Sequence, residues 1–207
     1  MKFNDLELRK DILKAVDTLG FKIPTEIQIK AIPVLLSNTK DLVGLAQTGT
    51  GKTAAYGLPL VQHTDFNSKD TQGLVICPTR ELCMQITKDL ESYAKFQSNP
   101  NIVAVYGGAS IDDQMRKIKR GAQIVVATPG RLLDLINRKA IKLGTVERVI
   151  LDEADEMLNM GFKEDLDAIL QQTPEGKRVW LFSATMPKDV RRIANNYMHN
   201  PDEITVG

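Results

Sequence analysis

Leu42-Val43-Gly44-Leu45-Ala46-Gln47-Thr48-Gly49-Thr50-Gly51-Lys52-Thr53 changes character halfway along. It opens as a short apolar run, the pattern of a strand buried on both faces. It closes on glycines, a lysine and a hydroxyl, and Thr53–Gln62 then carries helical spacing. A strand that feeds a glycine-rich turn and opens a helix is the phosphate-loop pattern. Gly49 and Gly51 let the backbone approach oxygens that a Cβ would hold away. Successive N–H groups from Gln47 to Thr53 and the helix N-terminus supply partial positive charge. Lys52 reaches β- and γ-phosphates, and the Thr53 hydroxyl suits Mg²⁺. Ala46 stands where the strict pattern has glycine, which leaves the later glycines intact.

The same strand–helix rhythm repeats outward from this turn. Further apolar runs lie at Gly73–Cys77, Ile102–Tyr106, Ile124–Ala127, Arg148–Leu151 and Val179–Phe182. Helical spacing covers Arg80–Lys95, Ile111–Arg120, Arg131–Asn137, Lys163–Gln172 and Lys188–Tyr197, with two helices, about Leu8–Leu19 and Thr25–Leu36, before the first strand. Alternation of this kind predicts an α/β fold with a mostly parallel, twisted sheet and helices on both faces. Ser110-Ile-Asp-Asp113 reads as a capping box, Pro187 as the first turn of a helix, and Thr64–Gly73 as a polar surface loop. No repeat or linker interrupts the chain, so one domain over 1–207 is the economical expectation.

Composition narrows the function classes. Formal net charge is only +1, so no global basic balance points to nucleic acid and any such argument must rest on local sites. The two cysteines, Cys77 and Cys83, cannot build a disulfide framework or a zinc site, and read as buried thiols. No signal-peptide pattern and no run of about 18 apolar residues is present, so the expectation is a cytoplasmic protein without a membrane. Trp180, Phe182, Met157, Leu158, Met160 and Phe162 read as core, and the basic run Arg116–Arg120 as a solvated helix face.

A second constellation lies about 100 residues downstream of the turn. Val149-Ile150-Leu151-Asp152-Glu153-Ala154-Asp155 is an apolar strand ending in carboxylates. Ligands of open α/β sheets bind outside the carboxyl ends of the strands, so Asp152 is within reach of a Mg²⁺ held by Thr53. Magnesium prefers oxygen ligands and keeps several waters, so one carboxylate acting partly through water suffices. Glu153 follows and suits orienting or deprotonating water. Acids at a helix start are also favoured by its dipole, the plainer reading of these residues.

Asp152-Glu153-Ala154-Asp155 is the signature of the DEAD-box RNA helicases, and the chain resembles that family from Phe3 to about Val206. The resemblance implies a RecA-like phosphate-loop domain using ATP and Mg²⁺, most similar to bacterial members. It assigns residues 1–36 to adenine recognition and 37–207 to the phosphate-loop core. Gly20–Gln28 resembles the adenine segment, with Phe21 on the base, Phe3 behind it, and Thr25 and Gln28 at the edge. A glutamine amide presents a donor beside an acceptor, which matches adenine N6 and N7. Catalysis is carried over to Lys52, Asp152 and Glu153. Pro78-Thr79-Arg80-Glu81-Leu82, Gly107-Gly108 and Thr128-Pro129-Gly130-Arg131 resemble the RNA-contact segments. Guanidinium beside a helix start suits backbone phosphate, so binding is expected to ignore base sequence. Thr79 and Thr128 read equally as N-caps. Ser183-Ala184-Thr185 resembles the element coupling hydrolysis to strand separation, through hydroxyl contacts with Asp152 or Asp155.

The family's motor has a second RecA-like domain that supplies arginines, which the resemblance makes a partner of this chain. No second set of such motifs follows Asp155 here, so the 207 residues are expected to be monomeric, to hydrolyse ATP slowly and not to unwind duplexes. Two other functions fit the same motifs: an ATP-gated clamp on RNA or protein, and a DNA helicase.

Overall fold

The computed structural model describes all of residues 1–207. Its strands are β1 (Leu42–Leu45), β2 (Gly73–Ile76), β3 (Ile102–Val105), β4 (Ile124–Ala127), β5 (Arg148–Leu151), β6 (Arg178–Ser183) and β7 (Asp202–Thr205). The helices are α1 (Lys10–Thr18), α2 (Glu26–Ser37), α3 (Lys52–His63), α4 (Arg80–Tyr93), α5 (Ile111–Lys119), α6 (Pro129–Asn137), α7 (Ala154–Asn159), α8 (Lys163–Gln171) and α9 (Lys188–Tyr197). A short 3-10 turn at Phe3–Leu6 precedes them. One sheet runs in the order β3-β4-β2-β5-β6-β1-β7. Every pairing in it is parallel, so the sheet is wholly rather than mostly parallel.

Parallel neighbours require crossovers, and the crossover helices cover both faces. Because side chains alternate along a strand, each strand feeds two cores. Leu42, Val75 and Ile150 enter the core beneath α1–α4, whereas Val43, Leu74, Ile76 and Val149 enter the core beneath α5–α9. On the first face Leu42, Trp180 and Ile150 stand in register across β1, β6 and β5. Each is essentially inaccessible to solvent. Replacing Trp180 by alanine removes the largest of these and is expected to cost about 3–5 kcal/mol.

Strand and helix limits match the sequence reading to within a residue or two at most ends. Three elements were not anticipated: the Phe3–Leu6 turn, the six-residue α7, and β7. β7 reads Asp-Glu-Ile-Thr, with the solvated alternation of an edge strand rather than an apolar run. Pro187 is the N-cap of α9 rather than its first residue. Ser110 Oγ accepts from Asp113 N at 3.2 Å, the forward half of the expected capping box. The segment from Thr64 to Gly73 is less exposed than its polarity suggests. Phe66 plugs the first core, and Thr64, Thr71 and Gln72 are buried with their side chains bonded to backbone groups. Met160 is 47% exposed, not core, because it caps α7 beside the turn at Gly161. Both cysteines are buried free thiols, as expected.

Candidate functional site

The carboxyl ends of β1, β6 and β5 lie side by side, and each releases one part of a single cluster. After β1 the backbone turns through Gly49 (φ 84°) and Gly51 (φ 88°), and Gly51 caps α3 in the left-handed region. A Cβ at Gly51 would lie 2.5 Å from Gln28 Nε2 and 2.8 Å from Thr25 Oγ1. The turn is therefore packed against the start of α2, and only glycine fits there. Gln28 Nε2 donates to the Gly51 carbonyl at 3.1 Å, while its Oε1 accepts from Thr25 N at 2.9 Å. Gln28 is 5% exposed, and its amide keeps one N–H and one lone pair for another partner.

Leu151 ends β5 and hands the chain to Asp152, which is buried. Lys52 Nζ stands 3.5 Å from Asp152 Oδ1, with both side chains sealed from solvent. Tyr56, one turn into α3, donates its hydroxyl to Asp152 Oδ2 at 2.8 Å. Burial, followed by the charge of Asp152, pushes the Tyr56 phenol well above its ordinary value, so it stays a donor. The contact with Lys52 lacks hydrogen-bond geometry, and Oδ1 has no hydrogen-bond partner. An orphaned carboxylate oxygen costs roughly 1–3 kcal/mol in a sealed site. It faces a lysine and lines the same cavity as Thr53, a donor set that fits a hard dication. No cluster of three acidic, histidine or cysteine side chains cages a metal by itself. That too fits Mg²⁺, which takes one or two carboxylates and draws its other ligands from water and phosphate.

Glu153 adopts φ 54°, ψ 51°, a left-handed backbone that costs about 1–3 kcal/mol for a residue with a side chain. The turn aims its carboxylate back at the phosphate loop, where Thr48 Oγ1 donates to Glu153 Oε1 at 3.3 Å. Asp155 accepts from Thr185 Oγ1 at 2.8 Å and Thr185 N at 3.1 Å. Its own N–H donates to Ser183 Oγ at 3.2 Å. Burial works against ionisation of Asp155, but the hydrogen bonds that Thr185 donates to its carboxylate, with the Ser183 hydroxyl close by, outweigh it and hold its pKa below the ordinary carboxylate range. The expected hydroxyl–carboxylate contacts are thus half realised. Thr185 bonds the Asp155 carboxylate, Ser183 bonds its backbone, and Asp152 is held by Tyr56 instead.

These groups open on a cavity of about 440 Å³. Phe21, Thr25 and Gln28 form one wall, Thr48, Gly49, Gly51, Lys52 and Thr53 the floor, and Asp152 and Glu153 the far end. Phe21 is 38% exposed and stacks on Phe3 with ring centres 6.2 Å apart. One end is aromatic and the other charged, as a nucleotide requires. Gln47 and Thr50 do not line it; Thr50 Oγ1 donates to the Gln47 carbonyl at 2.7 Å and braces the loop. Leu82, Asp89 and Tyr93 of α4 also line it. Sequence reading missed Asp89, Tyr93 and Tyr56, and read Leu82 only within an RNA-contact segment, because each looks like an ordinary helix residue until α3 and α4 are packed together.

The other expected segments follow β2, β4 and β3, which are also adjacent. Pro78 and Pro129 are buried and shape their turns, whereas Arg80, Gly107, Gly108 and Gly130 are exposed. Thr79 Oγ1 accepts from Leu82 N at 3.2 Å, a helix cap, and Thr128, the N-cap of α6, makes no such bond. The Arg80 guanidinium lies 5.0 Å over the Tyr106 ring and near the Gly108 carbonyl. Gly108 has φ 85°, and a Cβ there would come within 3.3 Å of Arg80 Nη1. Arg131 is half-buried and donates to the Ala109 carbonyl at 3.1 Å and Gln114 Oε1 at 3.0 Å. It braces the loop after β3.

Residues 25–193 match the model of the DEAD/DEAH box helicase family. A Listeria monocytogenes protein named ATP-dependent RNA helicase CshA is 49% identical over 205 residues, 99% of this chain and 39% of that relative. A Mycobacterium tuberculosis protein named ATP-dependent RNA helicase DeaD is 46% identical over 203 residues, 98% of this chain and 36% of that relative. The chain thus spans well under half the length of these curated relatives. The crystal structure of a DEAD box protein from the hyperthermophile Methanococcus jannaschii superposes with a TM-score of 0.96 at 43% identity, covering 100% of this chain and 56% of that one. The fold is accordingly RecA-like. With its phosphate loop, its Asp-Glu-Ala-Asp strand end and a family match over most of its length, the chain belongs to the DEAD/DEAH box helicases.

Proposed function

We propose that this chain is the ATP-binding half of an ATP-dependent RNA helicase, with residues 1–36 gripping adenine and 37–207 forming the phosphate-loop core. The observation that carries the reading is the Lys52–Asp152 contact at 3.5 Å, set in one cavity with Thr53, Glu153 and Gln28. Phe21 stacks on the base, and Gln28 presents its free N–H and lone pair to the adenine edge. Backbone N–H groups from Gly49 to Thr53 and the Lys52 ammonium hold the phosphates. Thr53 and Asp152 would hold Mg²⁺, Asp152 partly through water, and the ion would supply positive charge against the phosphate oxygens.

Glu153 takes the proton of the attacking water as its oxygen joins the γ-phosphorus. The bond to the bridging oxygen breaks, and ADP and phosphate leave. Thr48 releases Glu153 for this step. The Asp155–Ser183–Thr185 set then ties the end of β5 to the end of β6, coupling hydrolysis to strand movement. Arg80, Arg131 and the backbone turns at Thr79, Gly107, Gly108, Thr128 and Gly130 form the RNA face, with Pro78 and Pro129 shaping it. Such contacts hold phosphate and 2′-hydroxyl groups without reading bases. In the full-length protein a second RecA-like domain supplies the missing cations and half of the RNA groove. The protein works in the cytoplasm.

Nucleotide titration of this chain with Mg²⁺ tests the reading. Adenosine nucleotide is expected to bind at least about tenfold more tightly than guanosine nucleotide, as hydrogen-bond readout of a base edge implies. Lys52→Ala is expected to weaken both at least about tenfold, the loss of a charged hydrogen bond. Equal affinity for the two bases, or undiminished binding by Lys52→Ala, contradicts it.

A further inference from the structure

The amino ends of β5 and β6 lie at the opposite end of the sheet from the cavity. There they meet the turn after α2 around a second pocket, of about 360 Å³. Its side chains include three cations, Arg148, Lys177 and Arg178, and one carboxylate, Glu147. Two of the cations are more than nine-tenths buried: Arg148 is 5% exposed and Lys177 8%. Water solvates neither fully, so each needs a compensating anion or hydrogen bonds.

The chain supplies only part of that compensation. Arg148 Nη1 pairs with Glu147 at 3.2 Å, but the Glu147 side chain is 60% exposed. Arg148 Nε is sealed and has no hydrogen-bond partner. Lys177 Nζ donates to the Pro174 carbonyl at 3.1 Å. The buried carboxylate beside it, Asp41, is spent on backbone groups, accepting from Val179 N at 2.9 Å and His199 N at 2.8 Å. Glu175, the other acid near Lys177, is exposed. Arg178 Nε donates to the Asn38 carbonyl at 3.2 Å, which fixes that side chain against the pocket wall. Burial pulls both Arg148 and Lys177 below their ordinary values, and the neighbouring acids oppose it only in part.

We propose that this pocket binds a phosphate group, presented either as inorganic phosphate or as the phosphomonoester of a small sugar. Among the lining side chains cations outnumber carboxylates three to one, an excess that Asp41 and Glu175 near Lys177 offset only in part, so the pocket favours an anion. Guanidinium and ammonium together are the donors that recognise it. Val146 and Pro174 are the only apolar side chains in the lining and no aromatic ring is present, so the pocket has no aromatic surface on which to stack a base. The volume exceeds one phosphate and falls at the low end for small-molecule sites, about 300–1,000 Å³. A bound phosphate would tie β5 to β6 at the ends remote from Asp152 and Ser183.

The phosphate loop also binds phosphate, so the test removes it first. In a Lys52→Ala background, inorganic phosphate and, separately, ribose 5-phosphate are titrated at constant ionic strength against chloride. Backbone amide shifts are read at Gly144 and Gly176 in the pocket and at Gly49 and Gly51 in the loop. Saturable shifts at Gly144 and Gly176 are expected. Adding Lys177→Gln or Arg178→Gln should weaken them at least about tenfold, the cost of losing one charged hydrogen bond. Should Lys177→Gln disturb the fold, the half-buried Arg178 carries the comparison. The tighter of the two probes identifies whether the free ion or the ester is the ligand. The proposal is overturned if neither probe moves Gly144 and Gly176, if chloride moves them equally, or if the shifts survive both substitutions.

Discussion

The carboxyl rim of the sheet divides into two halves that differ in how they hold charge. At the ends of β1, β6 and β5 the charges are sealed: Lys52 and Asp152 pair at 3.5 Å out of reach of solvent, and Glu153 sits on a strained backbone. At the ends of β2, β4 and β3 the rim is open. Arg80 rests on the Tyr106 ring, and Gly107, Gly108 and Gly130 present bare backbone. A sealed half makes interactions strong and specific to one ligand, because low dielectric magnifies each contact. An open half offers screened charge to a polyanion of any sequence. On the function proposed above, the same sheet carries an enclosed chemical site and an extended docking face, separated by the boundary between β5 and β2.

Four experiments sharpen or break that contrast. The largest effect is expected for Glu153→Gln in the full-length protein. Loss of a general base should lower kcat by about 10²–10⁴ while nucleotide and RNA still bind. A pure clamp would show no such loss. Next, Tyr56→Phe leaves Asp152 Oδ2 without its donor in a sealed site and should destabilise the chain by about 1–3 kcal/mol. At about 2–4 °C per kcal/mol for a chain of this size, thermal melting resolves that loss, and an unchanged melting point would show that the half is not sealed.

On the open half, effects are smaller. Arg80→Ala should weaken RNA binding uniformly across sequences and reduce the slope of log affinity against log salt by about 1. A change confined to particular bases would contradict backbone recognition. The smallest effect concerns pH. Hydrogen bonds hold the Asp155 pKa below its ordinary 3.8. A depressed carboxylate adds stability above its unfolded pKa, and that stability is lost as pH falls through the folded value. Asp155 is only partly buried, so solvent still screens it and Asp155→Asn should cost under about 1 kcal/mol at pH 7. The difference from the parent should shrink progressively as pH falls below 3.8, and a gap that widens there would contradict the assignment.

Much of the sealed half was legible in the sequence, because its chemistry lies in contiguous motifs. The glycines, Lys52 and Thr53 form one run and Asp152 to Asp155 another, and strand burial dictates that both emerge at one end of a parallel sheet. What escaped were residues whose role depends on helix packing. Tyr56 reaches Asp152 only because α3 runs back along the sheet, and Asp89 and Tyr93 line the cavity only because α4 packs on α3. Gln28 reads as a recognition residue, yet it also locks Gly51 to the start of α2, a contact that no spacing rule reveals. β7 was invisible because an edge strand with charged side chains lacks the apolar run that marks its neighbours.

The central claim is that the turn after β1 and the carboxylate at the end of β5 serve one bound nucleotide. A double-mutant cycle of Lys52→Ala and Asp152→Asn, read as Mg²⁺-dependent adenine nucleotide affinity of this chain, measures it most directly. Residues that share a ligand couple by about 0.5–3 kcal/mol, so the double variant should lose clearly less, or more, than the sum of the singles. Strict additivity within experimental error would contradict a shared site.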